Sequence, residues 1–150
     1  MNQEKIMKAK MVTAIFIALA AVVAVFVFAG LYFDQRRINR LEYIDQYENN
    51  ILLAAQEIDK YNEKQTDYDL HYNMVLSDLG AARAIIFLID DYTEKQKIIN
   101  ELHYCFVKYP NQMREKLDDS SKALHDIADH LDKGYDEAKE IVDSINKLGD

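Results

Sequence analysis

The chain has 150 residues, with 18 Lys and Arg, 26 Asp and Glu and a net charge of −8. This acidic balance argues against nucleic acid as a partner. A single cysteine excludes an internal disulfide and a zinc site built from several thiolates of one chain. Only four glycines and one proline are present, whereas sheet proteins need many turns. These counts predict an all-α protein with few, short connections.

Residues 12–33 form the stretch around which the rest is organised. Its 22 residues carry a side-chain polar group only at Thr13 and Tyr32. A helix needs about 20 apolar residues to cross a bilayer. A cleavable signal peptide, the alternative, has a shorter apolar core and a small-residue cleavage site. We therefore predict a retained transmembrane helix in the lipid bilayer, preceded by a short basic tail at residues 1–11.

The basic residues that set the orientation of a membrane span are equally numerous on both sides of this one, three before it and three after it. They are Lys5, Lys8 and Lys10 before it and Arg36, Arg37 and Arg40 after it. The free α-amine favours a cytoplasmic tail, so the C-terminal domain is predicted to be extracytoplasmic in a single-pass protein. Ala20 and Ala24 have the small-residue spacing that lets membrane helices approach one another. The alternative is that alanine is simply common in spans.

Residues 34–150 form the predicted acidic domain, with 15 basic and 25 acidic residues and a net charge of about −10. Its first helix is expected at about 34–64, continuous with the anchor. Apolar or aromatic residues occupy every a and d position of a heptad pattern there. These positions are Ile44, Tyr47, Ile51, Ala54, Ile58 and Tyr61.

A polar cluster at 62–67 predicts a turn, with Thr66 as the N-cap of a second helix at about 67–90. One rod running to about residue 90 is the alternative, because the heptad phase continues. Residues 84–89 are apolar on every side and are therefore expected to be buried on every side. A buried strand is the other interpretation of this run. Thr93 and Gln96 fit a capping box before a third helix at about 94–108.

Pro110 ends that helix, and the last helix is predicted at about 111–148. Its small residues Ser120 and Gly134 are expected to admit a bulky partner such as a tyrosine. Together the elements predict an elongated antiparallel three- to four-helix bundle, or coiled-coil-like domain. The a and d positions of this helix are Leu117, Ser120, Leu124, Ile127, Leu131, Gly134, Ala138, Ile141, Ile145 and Leu148.

Four residues of the last helix are weak candidates for a surface metal site. His125 with Asp129, and Asp126 with His130, are spaced i,i+4 and would share a helix face. The apolar seam through Leu124 directs these side chains toward water. We therefore expect no metal site, and a solvated face with weak ion pairs.

No catalytic or cofactor-binding residue is identified, and the chain is predicted not to be an enzyme. No histidine lies three residues after a glutamate, as helical di-metal sites require. Phosphate-loop, nucleophile-elbow and metalloprotease motifs are absent from the sequence. Several of the ten tyrosines follow the seam and are expected to line the core and its rim. The alternative is an aromatic groove formed by Tyr47, Tyr61, Tyr68 and Tyr72.

Two functions from different classes remain. The first is a membrane-anchored helical interaction or scaffold module that binds a protein partner or forms a homo-oligomer, without a cofactor. The second is an extracytoplasmic sensory or small-ligand-binding domain. The order of anchor, long helix, two shorter helices and long helix is similar in architecture alone to the four-helix sensing domains of bacterial chemoreceptors. Function does not follow from such a likeness.

Overall fold

The computed structural model describes residues 2–89, 92–130 and 132–148. The described residues are almost entirely helical and include no strand, which confirms the all-α prediction. The helices are α1 (Asn2–Lys64), α2 (Tyr68–Ile86), α3 (Thr93–Lys108), α4 (Pro110–Arg114), α5 (Leu117–Ala128) and α6 (Asp132–Ser144). The chain divides into two compact units, residues 1–39 and 40–150.

The first unit consists of the N-terminal part of α1. Its apolar side chains are exposed all around the helix, with Phe16 68% and Phe26 73% accessible. The Thr13 hydroxyl donates a hydrogen bond to the carbonyl of Ala9 at 3.0 Å, so this polar group is satisfied within the helix. The helix is long and apolar enough to cross a membrane, judged by length and composition.

The second unit is built around the predicted seam of α1. Tyr47, Ile51, Ala54 and Ile58 are fully buried, and the seam residues at either end are half-buried. They share one apolar core with buried residues of α2, α3, α4, α5 and α6. Helix α3 packs on α2 and α6, and α5 packs on α6. The buried face is wider than the heptad positions alone, because Ala55 and Glu57 are buried as well.

The turn between α1 and α2 occupies residues 65–67, within the polar cluster where it was predicted. Gln65 and Asp67 adopt left-handed backbone conformations, with φ of 52° and 56°, which interrupt the helix. The expectation that Thr66 caps α2 is wrong. The carbonyl of Asp67 accepts the first helical hydrogen bond, from the amide of His71 at 3.1 Å, and no side chain caps this end.

The expectation that residues 84–89 are buried on every side is also wrong. Helix α2 ends at Ile86, and the backbone then turns, so that Ile86 and Ile89 enter the core while Phe87 and Leu88 are more than half exposed. The Gln96 side-chain amide donates to the carbonyl of Ile86 at 3.0 Å. Gln96 therefore caps the end of α2, and no side chain caps the start of α3.

The single helix predicted at 111–148 is three helices, α4, α5 and α6. The chain leaves the helical conformation after Ala128, and His130 has a φ of 63°. A heptad pattern is the same for one long helix as for two shorter ones that share a core, so it did not reveal this break. The predicted seam residue Leu131 lies outside the described residues, and Leu148 is almost fully exposed.

Gly134 explains how closely α5 and α6 pack. A β-carbon at this position would lie 2.6 Å from the carbonyl oxygen of Ala123 and 2.7 Å from the amide nitrogen of Ile127. Real β-carbons essentially never come so close to backbone atoms, so only glycine allows this approach. Gly134 therefore packs against the backbone of α5. The expectation that it admits a bulky side chain such as a tyrosine is wrong.

Candidate functional site

Three carboxylates of α1 contact histidine side chains from other parts of the second unit. Asp59 accepts hydrogen bonds from the Ser121 hydroxyl at 2.5 Å and lies 2.7 Å from Nε2 of His125, both on α5. The His125 and Asp59 side chains remain 38% and 43% exposed. This cluster joins residues that are more than 60 positions apart in sequence, at a surface that water can reach.

The three side chains are those of a serine-hydrolase triad, but their order is wrong for that chemistry. In a triad the histidine lies between the serine, whose proton it takes, and the acid that orients it. Here Asp59 lies between Ser121 and His125. His125 therefore makes its hydrogen bond to the acid without activating the hydroxyl. The arrangement fits a structural hydrogen-bond cluster.

Glu57 is the most deeply buried acid of this part of α1, with 3% of its surface exposed. Nδ1 of His71 lies 2.8 Å from one of its oxygens, and the Lys60 ammonium lies 2.5 Å from the other. Burial alone would raise the pKa of this carboxyl, but the hydrogen bonds from Lys60 and His71 hold the pKa below its usual value. Glu57 is thus a buried anion that links α1 to α2 through its hydrogen bond with His71.

Glu48 makes the third contact of this kind. One of its oxygens lies 2.9 Å from Nδ1 of His130, in the turn between α5 and α6. Partial burial and the nearby Asp45 carboxylate raise the pKa of Glu48, against the opposing effect of His130. Three of the four histidines are thus paired with carboxylates of α1.

Three of the four metal-site candidates, His125, Asp126 and His130, pair with residues outside this group. Asp126 pairs with Lys133 at 2.9 Å, and Asp129 is exposed. Because His130 lies beyond the helix end, it does not share a helix face with Asp126. Within the described ranges, no group of three or more His, Cys, Asp and Glu side chains could hold a metal ion. The predicted solvated face does not include the whole group either, because the His125 side chain contacts Asp59 of α1.

Two open cavities lie along α5 and α6, with volumes of about 420 and 570 Å³. Lys122 and Glu137 line both of them, and one Glu137 oxygen is buried without a hydrogen-bond partner in the described structure. The remaining lining is mostly charged or polar, of both signs. Ligand pockets are typically enclosed and mainly apolar, so this surface fits solvated side chains better than a small-molecule site.

The tyrosines fill space that an aromatic groove would need. Tyr61, Tyr68, Tyr72 and Phe106 form a chain of rings with successive centroids 5.1, 5.2 and 5.6 Å apart. The Arg114 guanidinium lies 4.3 Å from the centre of the Tyr68 ring. The void lined by Tyr61, Tyr68 and Tyr72 holds only about 10 Å³, too little for a ligand. An open cavity of about 340 Å³ borders Tyr61 and Arg114, and its lining is mainly polar and charged.

A second aromatic contact is fully internal. The hydroxyls of Tyr47 on α1 and Tyr135 on α6 are hydrogen-bonded to each other at 2.8 Å. Burial raises the pKa of both phenols. The Lys95 ammonium lies 4.9 Å from the Tyr135 ring centre, in the range of a cation–π interaction. Tyrosines thus line the core and its rim at both of these places.

Sequence reasoning missed the acids that hold the histidines. The heptad pattern of α1 selects its apolar positions, so Glu48, Glu57 and Asp59 were not singled out. Their partners lie 14 to 82 residues away in the chain, and no local spacing connects them. The only available signal was the excess of acids next to the seam, which is equally typical of a solvated helix face.

Comparison of the chain with protein-family models, curated proteins and solved structures finds no match.

Proposed function

We propose that this protein is a single-pass, membrane-anchored helical module that binds a protein partner through an extracytoplasmic domain. The observation that carries the proposal is the run of exposed apolar side chains at residues 12–33 of α1. A helix that is apolar on every side needs apolar surroundings. A bilayer supplies them, and the length of the run fits the bilayer core.

The second unit supports an interaction role better than a catalytic one. We take the seam part of α1 with α2, α3, α5 and α6 as a helical bundle around one core. The acid–histidine pairs of this bundle join its helices, and the triad-like cluster has the wrong order for hydrolysis. These features favour a scaffold that presents a surface.

The surface offers apolar contacts on neighbouring helices. Leu70 and Met74, four residues apart on α2, are exposed, and so are Tyr104 and Val107, three apart on α3. Residues at these spacings share a helix face, and α2 and α3 pack together. Exposed apolar patches are typical of protein interaction sites. The charged, open cavities along α5 and α6 are less suited to a small ligand.

Site-specific photo-crosslinking of the full chain in its native membrane tests the partner. A photoreactive residue at Met74 or Val107 should give one discrete crosslinked product, and the same residue at the exposed, polar position Lys139 should not. If neither apolar position crosslinks, and small acids, amino acids or divalent ions raise the melting temperature instead, the sensory alternative replaces this proposal.

Labelling with a membrane-impermeant thiol reagent tests the orientation. With Lys139→Cys as the target in a Cys105→Ala background, labelling of intact cells supports an extracytoplasmic domain. Labelling only after lysis would place the domain in the cytoplasm, with Arg36, Arg37 and Arg40 as the signal that retains it there.

A further inference from the structure

We infer that α1 forms a parallel homodimer through a seam that begins in the membrane span and ends at Leu41. The inference rests on the membrane attachment proposed above and adds the identity of one partner, a second copy of the chain. It starts from two side chains that the bilayer would not cover. Ile38 and Leu41 lie beyond the span and are 46% and 55% exposed.

These two residues are the only apolar ones between Asp34 and Glu42. They are three residues apart, on one face of a continuous helix. The same face continues toward the N-terminus at alternating intervals of four and three residues, and most positions of this series are apolar. That series is Asp34, Leu31, Val27, Ala24, Ala20 and Ile17. A period of 3.5 residues is the pattern of helices that pack along a shared seam.

Two of the five seam positions within the span, Ala20 and Ala24, are small. Ala20 and Ala24 allow two backbones to approach closely where lipid offers no hydrophobic drive for association. In the water-exposed part, burying Ile38 and Leu41 against a second copy is favourable.

The charges that flank the seam fit a parallel pair. With Ile38 at position a, Arg37 is at g and Glu42 is at e. In a parallel dimer, a g residue lies beside the e residue five positions later in the partner helix. Arg37 would therefore meet Glu42 of the second copy, twice by symmetry. An antiparallel arrangement would not pair them in this way.

The register also shows where the seam ends. Its next two positions are Asp45 and Glu48, and like charges facing each other there would repel. Within the seam only Asp34 is charged, and its carboxylate lies 3.8 Å from Arg37 of its own chain. Anchoring in one bilayer keeps two copies parallel and at the same height, which lowers the entropy cost of pairing.

Disulfide mapping of the full chain in proteoliposomes tests the seam, in a Cys105→Ala background. Flotation of the liposomes is measured on the same samples. Mild oxidation should crosslink Ile38→Cys and Leu41→Cys at least fivefold more than Asn39→Cys and Arg36→Cys, which occupy positions b and f. Equal crosslinking at all four positions, or none at any, overturns the dimer. If the protein does not float with the liposomes, the membrane attachment fails and the dimer fails with it.

A charge exchange provides an independent measurement, by energy transfer between labelled copies. Arg37→Glu and Glu42→Arg should each lower the transfer, because each places like charges together in the pair. The double variant should restore at least half of the lost signal. Loss in the double variant as large as in the two single variants would show that these residues do not meet, and would overturn the parallel register.

Discussion

Two parts of α1 are both rich in apolar residues but bury them differently. At residues 12–33 apolar side chains cover every face of the helix, and none of them is covered by protein. At residues 44–61 they form a stripe, which lies in a core shared with five other helices. The all-round pattern fits a solvent that is apolar in every direction, and the stripe fits a boundary between protein and water. Periodicity, more than hydrophobicity, separates the two environments.

The largest expected effects come from one charge placed in each part. Ile51→Asp should unfold the second unit, because an unpaired buried charge costs several kcal/mol against a total stability of about 5–15 kcal/mol. The protein should nevertheless stay in the membrane fraction. Val22→Asp should leave the second unit helical but weaken insertion, at a cost of about 3 kcal/mol. Circular dichroism and carbonate extraction measure the two effects. If both variants lost the same property, the contrast between the two parts would be wrong.

Gly134→Ala should destabilise the second unit by about 1–3 kcal/mol, because the added methyl group meets the backbone of α5. Gly80→Ala is the matched control in the same unit. Its new β-carbon would lie 3.5 Å from the His103 ring, an ordinary contact, and alanine is a better helix former than glycine. Urea denaturation should therefore show no loss for Gly80→Ala. A similar loss in both variants would contradict the close packing of α5 and α6.

The buried anion Glu57 should make stability depend on acid pH. Its pKa is lower in the folded protein than in the unfolded chain. The stabilisation is therefore complete above a pH of about 4.5 and is lost as the pH falls through the folded-state pKa. Between pH 6 and pH 3 the native protein should lose more of its free energy of unfolding than Glu57→Gln does. Equal losses in urea denaturation of the two proteins would show that Glu57 is not held as an anion.

The smallest effect is expected at the half-exposed pair of His125 and Asp59. Replacing His125 by alanine should change the free energy of unfolding by less than about 1 kcal/mol, since exposed ion pairs contribute little. Divalent ions should not stabilise the native protein more than this variant in a thermal melt. A specific gain for the native protein would show that His125 binds a metal ion.

Much of the fold was predictable because it depends on local patterns. The seam from Ile44 to Tyr61 and the turn near residue 65 follow from periodicity and polar clusters. The break after Ala128 was not predictable from periodicity, because residues 117–145 keep one heptad phase through two helices. Phe87 and Leu88 were misplaced because hydrophobicity alone does not show where α2 ends.

The polar contacts were less predictable than the helices. Glu57 with His71, and Asp59 with His125, become neighbours only after the helices have packed. The i,i+4 spacing of His125 and Asp129 suggested a shared face, whereas the histidine pairs with an acid from another helix. Spacing describes one helix at a time, and these contacts depend on two.

The hydroxyl pair of Tyr47 and Tyr135 has a consequence at alkaline pH. Both phenols resist ionisation in the folded protein, whereas in the unfolded chain they ionise near pH 10. Their contribution to stability is therefore complete below pH 10 and declines as the pH rises above it. Because the chain has no tryptophan, the ultraviolet absorbance of its phenolates is not masked by indole. In an alkaline titration, this pair will ionise only when the core around it opens.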